Sequence, residues 1–165
     1  MAEQYFGKYR GTVTNNVDPL KLGRIQVIVP DVVESVPTNW AMPCFAGPGM
    51  FAVPSIGAAV WIEFEKGDAG YPVWTGCYYH SAGDVPRSAE AAILGQPFFC
   101  IQAPGGSFLV IMDGVGEAAD IVIGFQGGAK LSISDSVIQL ESGKGSIIRL
   151  VGPAVDVNHG ALEVV

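Results

Sequence analysis

Apolar and polar residues alternate along much of this chain, and in the last third the alternation repeats as one phrase: Leu131-Ser132-Ile133, Ile138-Gln139-Leu140, Ile148-Arg149-Leu150, Val155-Asp156-Val157 and Leu162-Glu163-Val164. In each, two aliphatic residues flank a polar one, so the aliphatic pair lies on one face of a strand and the middle residue on the other. The lead positions 131, 138, 148, 155 and 162 are spaced by 7, 10, 7 and 7, with Gly143-Lys144-Gly145 inside the longer step. Strands this short cannot bury an apolar face alone; they acquire a core by stacking on neighbours or on other copies of the chain. Leu131, Ile133, Ile138, Leu140, Ile148, Leu150, Val155, Val157, Leu162 and Val164 are the expected shared interior, with Ser132, Gln139, Glu141, Arg149, Asp156 and Glu163 outside. A β-meander inside an ordinary sandwich is the rival reading of the same pattern.

Upstream the alternation is looser. Residues 5–14, 23–29, 58–64 and 71–78 read as strands, with Asn15-Asn16, Asp18-Pro19 and Lys66-Gly67-Asp68 as turns and Pro30 as a stop. Residues 80–96 change character: the Ala/Glu stretch from Arg87 to Leu94 has length for about two turns of helix, marginal alone. Strands resume over 98–102, 107–113 and 120–126. The chain therefore reads as all-β, with a strand-rich module over residues 1–80, a connector over 81–97 expected to be ordered by contacts between copies of the chain and not to act as a free linker, and a second strand-rich module over 98–165.

Composition sharpens this picture. Glycine (22) and proline (11) make up a fifth of the 165 residues while 49% of the chain is hydrophobic, which means many short strands and not disorder. A net charge of −7 would be repelled by a phosphate backbone or an anionic membrane surface. Cys44, Cys77 and Cys100 lack CxxC spacing and read as buried thiols made in a reducing cytoplasm, and the first residues carry no basic and apolar pattern of a secretory signal. Residues 35–62 contain no charge over a length that could cross a bilayer, but Pro37, Pro43, Pro48 and Pro54 break any helix there. That segment is expected to be shielded inside the protein or against a partner.

Convergent polar groups of tunable pKa are scarce. His80 and His159 lie in different modules without ligand-spaced neighbours, and Glu63 with Glu65, spaced i, i+2, sit beside a turn where solvated charge is ordinary. No phosphate loop, dinucleotide fingerprint, nucleophile elbow or EF-hand occurs. The aromatics Trp40, Phe45, Phe51, Trp61, Trp74, Tyr78 and Tyr79 would suit a small nucleic-acid-binding barrel, yet residues 1–97 carry six basic against nine acidic residues. Core packing explains most of those rings more simply. No catalytic residue, cofactor, metal site or nucleic-acid partner is expected.

The run Gly7-Lys8-Tyr9-Arg10-Gly11-Thr12-Val13, then Asp18-Pro19-Leu20 and Leu22-Gly23-Arg24-Ile25-Gln26-Val27, resembles the opening of the phage baseplate assembly protein V and VgrG spike families. So do Trp40-Ala41, Pro54 with Gly57, Val60-Trp61-Ile62-Glu63-Phe64, Gly67-Asp68 and Pro72-Val73-Trp74-Thr75-Gly76, while the rungs up to Val164 are similar to the needle of those families. The resemblance implies an N-terminal OB-fold barrel, then a trimeric intertwined β-helix whose core would be the ten aliphatic rung positions. The implied function is the central spike of a contractile tail or injection particle, assembled in the bacterial cytoplasm and meeting a target membrane only on puncture. The alternative is a monomeric OB-type binding module with a β-rich tail. The sequence carries no hub domain, which implies a separate hub protein, with Trp40, Phe45 and Phe51 as its candidate contact. Some members end in an H-x-H pair that binds iron; here only His159 is present, so no metal is expected. A PAAR-type tip protein is expected instead at Ala161, Leu162, Glu163, Val164 and Val165.

Overall fold

The computed structural model describes residues 3–89, 98–112 and 121–164, and the chain divides into two compact units, Met1–Asp84 and Val85–Val165. In the first unit, β1 (Tyr9–Asn15), β2 (Gln26–Ile28), β3 (Met42–Pro43), β4 (Ala59–Phe64) and β5 (Pro72–Cys77) form one sheet in the order β2-β1-β4-β5-β3. Every pairing is antiparallel except β3 with β5. A bridge between Ile25 and Ala41 joins the two ends: Ile25 N–H donates to the Ala41 carbonyl at 3.2 Å and Ala41 N–H returns to Ile25 at 2.7 Å. The circle β1-β2-β3-β5-β4 is thereby closed, the strand order of an OB barrel, and closure leaves no sheet edge open.

Alternation supplies the barrel core. Val13, Ile25, Val27, Val29, Ala41, Val60 and Ile62 are at most 1% exposed, and Phe64 and Trp74 are 6% exposed. Trp74 brings a polar atom inside and satisfies it by donating Nε1–H to the Gly23 carbonyl at 3.1 Å. Gly11 is required where β1 crosses the core, because a Cβ there would lie 3.0 Å from Ile62 Cγ1.

Several expectations are corrected in this unit. Pro30 does not merely stop a strand; it opens the one-turn helix α1 (Pro30–Val33), where its fixed φ suits the first turn. Of the seven aromatics attributed mostly to the core, only Trp74 is buried; Trp61 sits between Val60 and Ile62 on the outward face of β4, beside Tyr78 and under Arg10. The uncharged residues 35–62 are only partly shielded within the chain: Thr38, Ala41, Val60 and Ile62 are buried, whereas Met50 is 58%, Phe51 64% and Ile56 62% exposed. Cys44 and Cys77 are exposed and Cys100 half-buried, because two of the three fall at strand ends. Glu63 and Glu65 are the solvated charges expected beside the turn: Glu63 binds Lys8 at 2.5 Å and Glu65 is exposed in a 3-10 turn.

The second unit is a single antiparallel meander of β6 (Phe98–Gln102), β7 (Phe108–Met112), β8 (Ile121–Gly124), β9 (Lys130–Ile133), β10 (Val137–Glu141), β11 (Ile147–Val151), β12 (Ala154–Val157) and β13 (Leu162–Val164), each paired with its neighbours in sequence. The expected helical stretch begins as a 3-10 turn, Arg87–Ala89; its continuation lies outside the described residues. Ser88 ties that turn to β6, donating from N and Oγ to Gln102 Oε1 at 3.1 and 2.9 Å with Cys100 Sγ 2.8 Å from its hydroxyl. The described end of the connector is thus held by its own chain.

Candidate trimerisation face

The register of the second sheet never slips, so its residue positions line up in columns. On one face, Phe99, Ile111, Ile121, Ile133, Ile138, Leu150, Val155 and Val164 are successive ladder partners, and beside them run Ile101, Leu109, Ile123, Leu131, Leu140, Ile148, Val157 and Leu162. Between these columns, on the opposite face, lie Cys100, Val110, Val122, Ser132, Gln139, Arg149, Asp156 and Glu163. The ten aliphatic rung positions fall together on one face. The pattern also begins three strands earlier than the repeat in the sequence, because Cys100, Val110 and Val122 occupy the middle position of β6–β8 and hide the alternation.

This apolar face is open in the single chain. Ile101 is 57%, Leu140 47%, Ile138, Ile148 and Leu150 each 41%, and Leu162 60% exposed. Fully burying such a side chain contributes about 2 kcal/mol, and an eight-strand face of them far exceeds the apolar patches ordinary on monomeric proteins. In this unit Val110, at 3%, is the one buried apolar side chain among the described residues. A sheet with one apolar face and no layer against it needs more chain to cover it.

From β9 onward the other face mixes polar residues with Val137, Ile147, Val151 and Ala154, and its charges are partly paired. Lys130 Nζ lies 2.7 Å from Glu141 Oε1, to which the Gln139 amide also donates at 2.8 Å. Lys130 first, and then Gln139, hold the Glu141 carboxyl below its ordinary range. The turns are equally specific. The Gly143 backbone meets the Gly127–Gly128 turn so closely that a Cβ on Gly143 would stand 2.5 Å from the Gly128 carbonyl carbon. At the turn between β12 and β13, Asn158 takes a left-handed φ of 53°, accepts the Ile147 N–H on its side-chain oxygen at 2.9 Å and donates its own N–H back to the Ile147 carbonyl. His159, also left-handed, is exposed beside it.

The remaining candidate residues are scattered. Leu162 and Ala161 are exposed, β13 is an edge strand, and Val165 lies outside the described residues. In the barrel, Phe51 is exposed, Phe45 is half-buried with its ring edge-on to Trp74 at 5.6 Å, and Trp40 is half-buried under the Arg24 guanidinium at 5.4 Å. The Asp18-to-Arg24 loop carries an organising contact that sequence reasoning missed. The Asp18 carboxylate accepts the backbone N–H groups of Leu20, Leu22 and Arg24 at 3.0, 2.7 and 3.2 Å and pairs with the Arg24 guanidinium at 2.6 Å. Arg24, chiefly, drives that carboxyl far below the usual range. The clasp holds Leu20 and Leu22 in solvent, beside a Gly23 where an added Cβ would stand 3.0 Å from Phe45 and 3.2 Å from Phe51.

Comparison with known proteins gives both units a counterpart. Residues 9–79 match the type VI secretion system/phage-baseplate injector OB domain, and residues 99–163 match the phage baseplate V C-terminal trimerisation domain. The chain belongs to the VgrG-like baseplate spike family. The type VI secretion system spike proteins VgrG4b and VgrG5 of Pseudomonas aeruginosa are 32% and 34% identical to it over 71 residues, 43% of this chain. The aligned stretch spans only 8% and 9% of those two proteins. The barrel of this all-β chain is thus the OB domain and its open sheet the trimerisation domain.

Proposed function

We propose that three copies of this baseplate spike wrap their second sheets about a common axis, apolar columns inward, to make an intertwined needle that punctures a target membrane. The unbroken double column of apolar residues over eight strands, most of them exposed in the single chain, carries this reading. In such a needle all ladder hydrogen bonds resist together, and at about 4.8 Å per layer eight layers give a rod on the order of 40 Å. Assembly takes place in the bacterial cytoplasm. The barrel docks on a hub protein through the exposed Phe51, with Phe45 and Trp40 as the half-buried support beneath that surface. The free edge of β13, with Ala161, Leu162, Glu163, Val164 and Val165, receives a PAAR-type tip protein that covers it.

The test is oligomeric state by light scattering. The full chain is expected as a trimer, Leu140→Asp as a monomer, and Gln139→Asp, one residue away on the polar face, as a trimer of nearly unchanged melting temperature. Equal effects from the two substitutions would refute an inward apolar face.

A further inference from the structure

We propose that the polar face of the C-terminal sheet carries an oxyanion site, a groove around Arg149 that takes a phosphate group. The groove encloses about 610 Å³, and its wall includes Lys130, Ser132, Ser136 and Arg149 but no carboxylate among the described residues. Lys130 already has its counter-charge in Glu141 at 2.7 Å. Among the described residues Arg149 has none: its Nε is buried and finds no acceptor, the one buried side-chain nitrogen or oxygen among those residues of which that is true. Asp156 stands opposite Arg149 in the ladder, yet its Oδ1 turns to the Gly160 N–H at 2.6 Å. Asp135 lies in the neighbouring turn and does not line the groove.

A permanently charged guanidinium with an unmet buried donor calls for an acceptor that also carries negative charge. Water would meet the donor and leave the charge unanswered; a phosphate oxygen pair answers both, in the two-pronged geometry that guanidinium favours. The Ser132 and Ser136 hydroxyls supply further donors, whereas the Ser134 hydroxyl already donates to the Val137 carbonyl at 3.4 Å and accepts the Val137 N–H at 3.1 Å. The groove is several times larger than a phosphate ion, so it has room for the sugar or glycerol to which the phosphate is attached. This goes beyond the spike role, adding a contact with phosphorylated surface molecules along the flank of the sheet.

The test uses the full chain in its native oligomer, with light scattering run on every variant. Inorganic phosphate is titrated calorimetrically at low salt, and flotation is measured with phosphatidylglycerol–phosphatidylcholine vesicles against phosphatidylcholine alone. One saturable phosphate per chain is expected, weakened at least tenfold in Arg149→Gln, less in Arg149→Lys, and unchanged in Arg87→Gln. Flotation with the anionic vesicles that depends on Arg149 identifies a lipid headgroup as the source; phosphate binding without flotation identifies a soluble phosphate. No saturable binding, or equal binding by Arg149→Gln, overturns the site. So does dissociation of the oligomer in both Arg149→Gln and Arg149→Lys without phosphate binding by the unmutated chain, which would assign the guanidinium to a neighbouring copy's carboxylate.

Discussion

In the barrel, Val13, Ile25, Val27, Val29, Val60 and Ile62 are sealed within a single chain, whereas in the second sheet Leu140, Ile148 and Leu150 keep more than two fifths of their surface in water. Both units are built from strands of two to seven residues, so strand length does not explain the contrast. Closure does. The Ile25–Ala41 bridge turns the first sheet back on itself, and the sheet becomes its own second layer. The second sheet pairs each strand only with its sequence neighbours, stays open, and leaves the missing layer to other copies. One unit is stabilised by a local core and the other by concentration-dependent assembly.

Leu140→Asp should separate the two most sharply. A carboxylate in the apolar column would be unpaired in every copy and abolish the trimer. Trp40, Trp61 and Trp74 all belong to the barrel, so their fluorescence reports that unit alone. Native emission and a cooperative thermal transition should survive in the monomer. Loss of both would mean that the barrel depends on the trimer, and the contrast would fall.

The converse substitution is Ile62→Ala, in a fully buried site of the barrel. A cost of about 2–5 kcal/mol is expected, read as a lowered tryptophan transition with light scattering still reporting a trimer. Gly143→Ala should cost less, about 1–3 kcal/mol, and should act only on assembly. Its φ is +71° and the Gly128 backbone blocks the new Cβ, so the trimer should melt earlier while the tryptophan signal is unmoved. Accommodation without change would show that the two turns do not pack as described.

The same contrast governs what the sequence discloses. The rungs from Leu131 onward are legible because a polar residue marks the outer face of each, but β6–β8 carry apolar residues on both sides and lose the period. Local pattern cannot find β3, only Met42–Pro43, because its strand character comes from pairing with Val73 and Trp74 some thirty residues away. The barrel's closure depends on that distant pairing. Asp18-Pro19-Leu20 and Gly23-Arg24 carry a family resemblance, yet what they do appears only when the carboxylate is seen gathering three backbone N–H groups. Exposure is least legible of all: the uncharged residues 35–62 suggest shelter throughout, and the chain alone provides it at Thr38, Ala41, Val60 and Ile62 but not at Met50, Phe51 and Ile56.

The smallest expected effect concerns that clasp and its pH dependence. Arg24 and the three N–H donors lower the Asp18 carboxyl in the folded state, relative to an unfolded aspartate near pKa 4. A depressed carboxyl contributes stability that is fully present above the unfolded value and is lost as pH falls from there through the folded one. Between pH 7 and 5 the loop should therefore be constant, with loosening confined to more acid solution. The amide protons of Leu20, Leu22 and Arg24 report it directly, because each donates to Asp18. In Asp18→Asn the charge is gone at every pH, so their protection against exchange should already be reduced at neutrality and should not respond further to acid, while the core amides of Val13 and Val27 stay protected. The trimer should be indifferent, since the clasp lies in the barrel. Unchanged protection of the three amides in Asp18→Asn would show that the loop owes its order to Phe45 and Phe51 packing on Gly23, and not to the carboxylate.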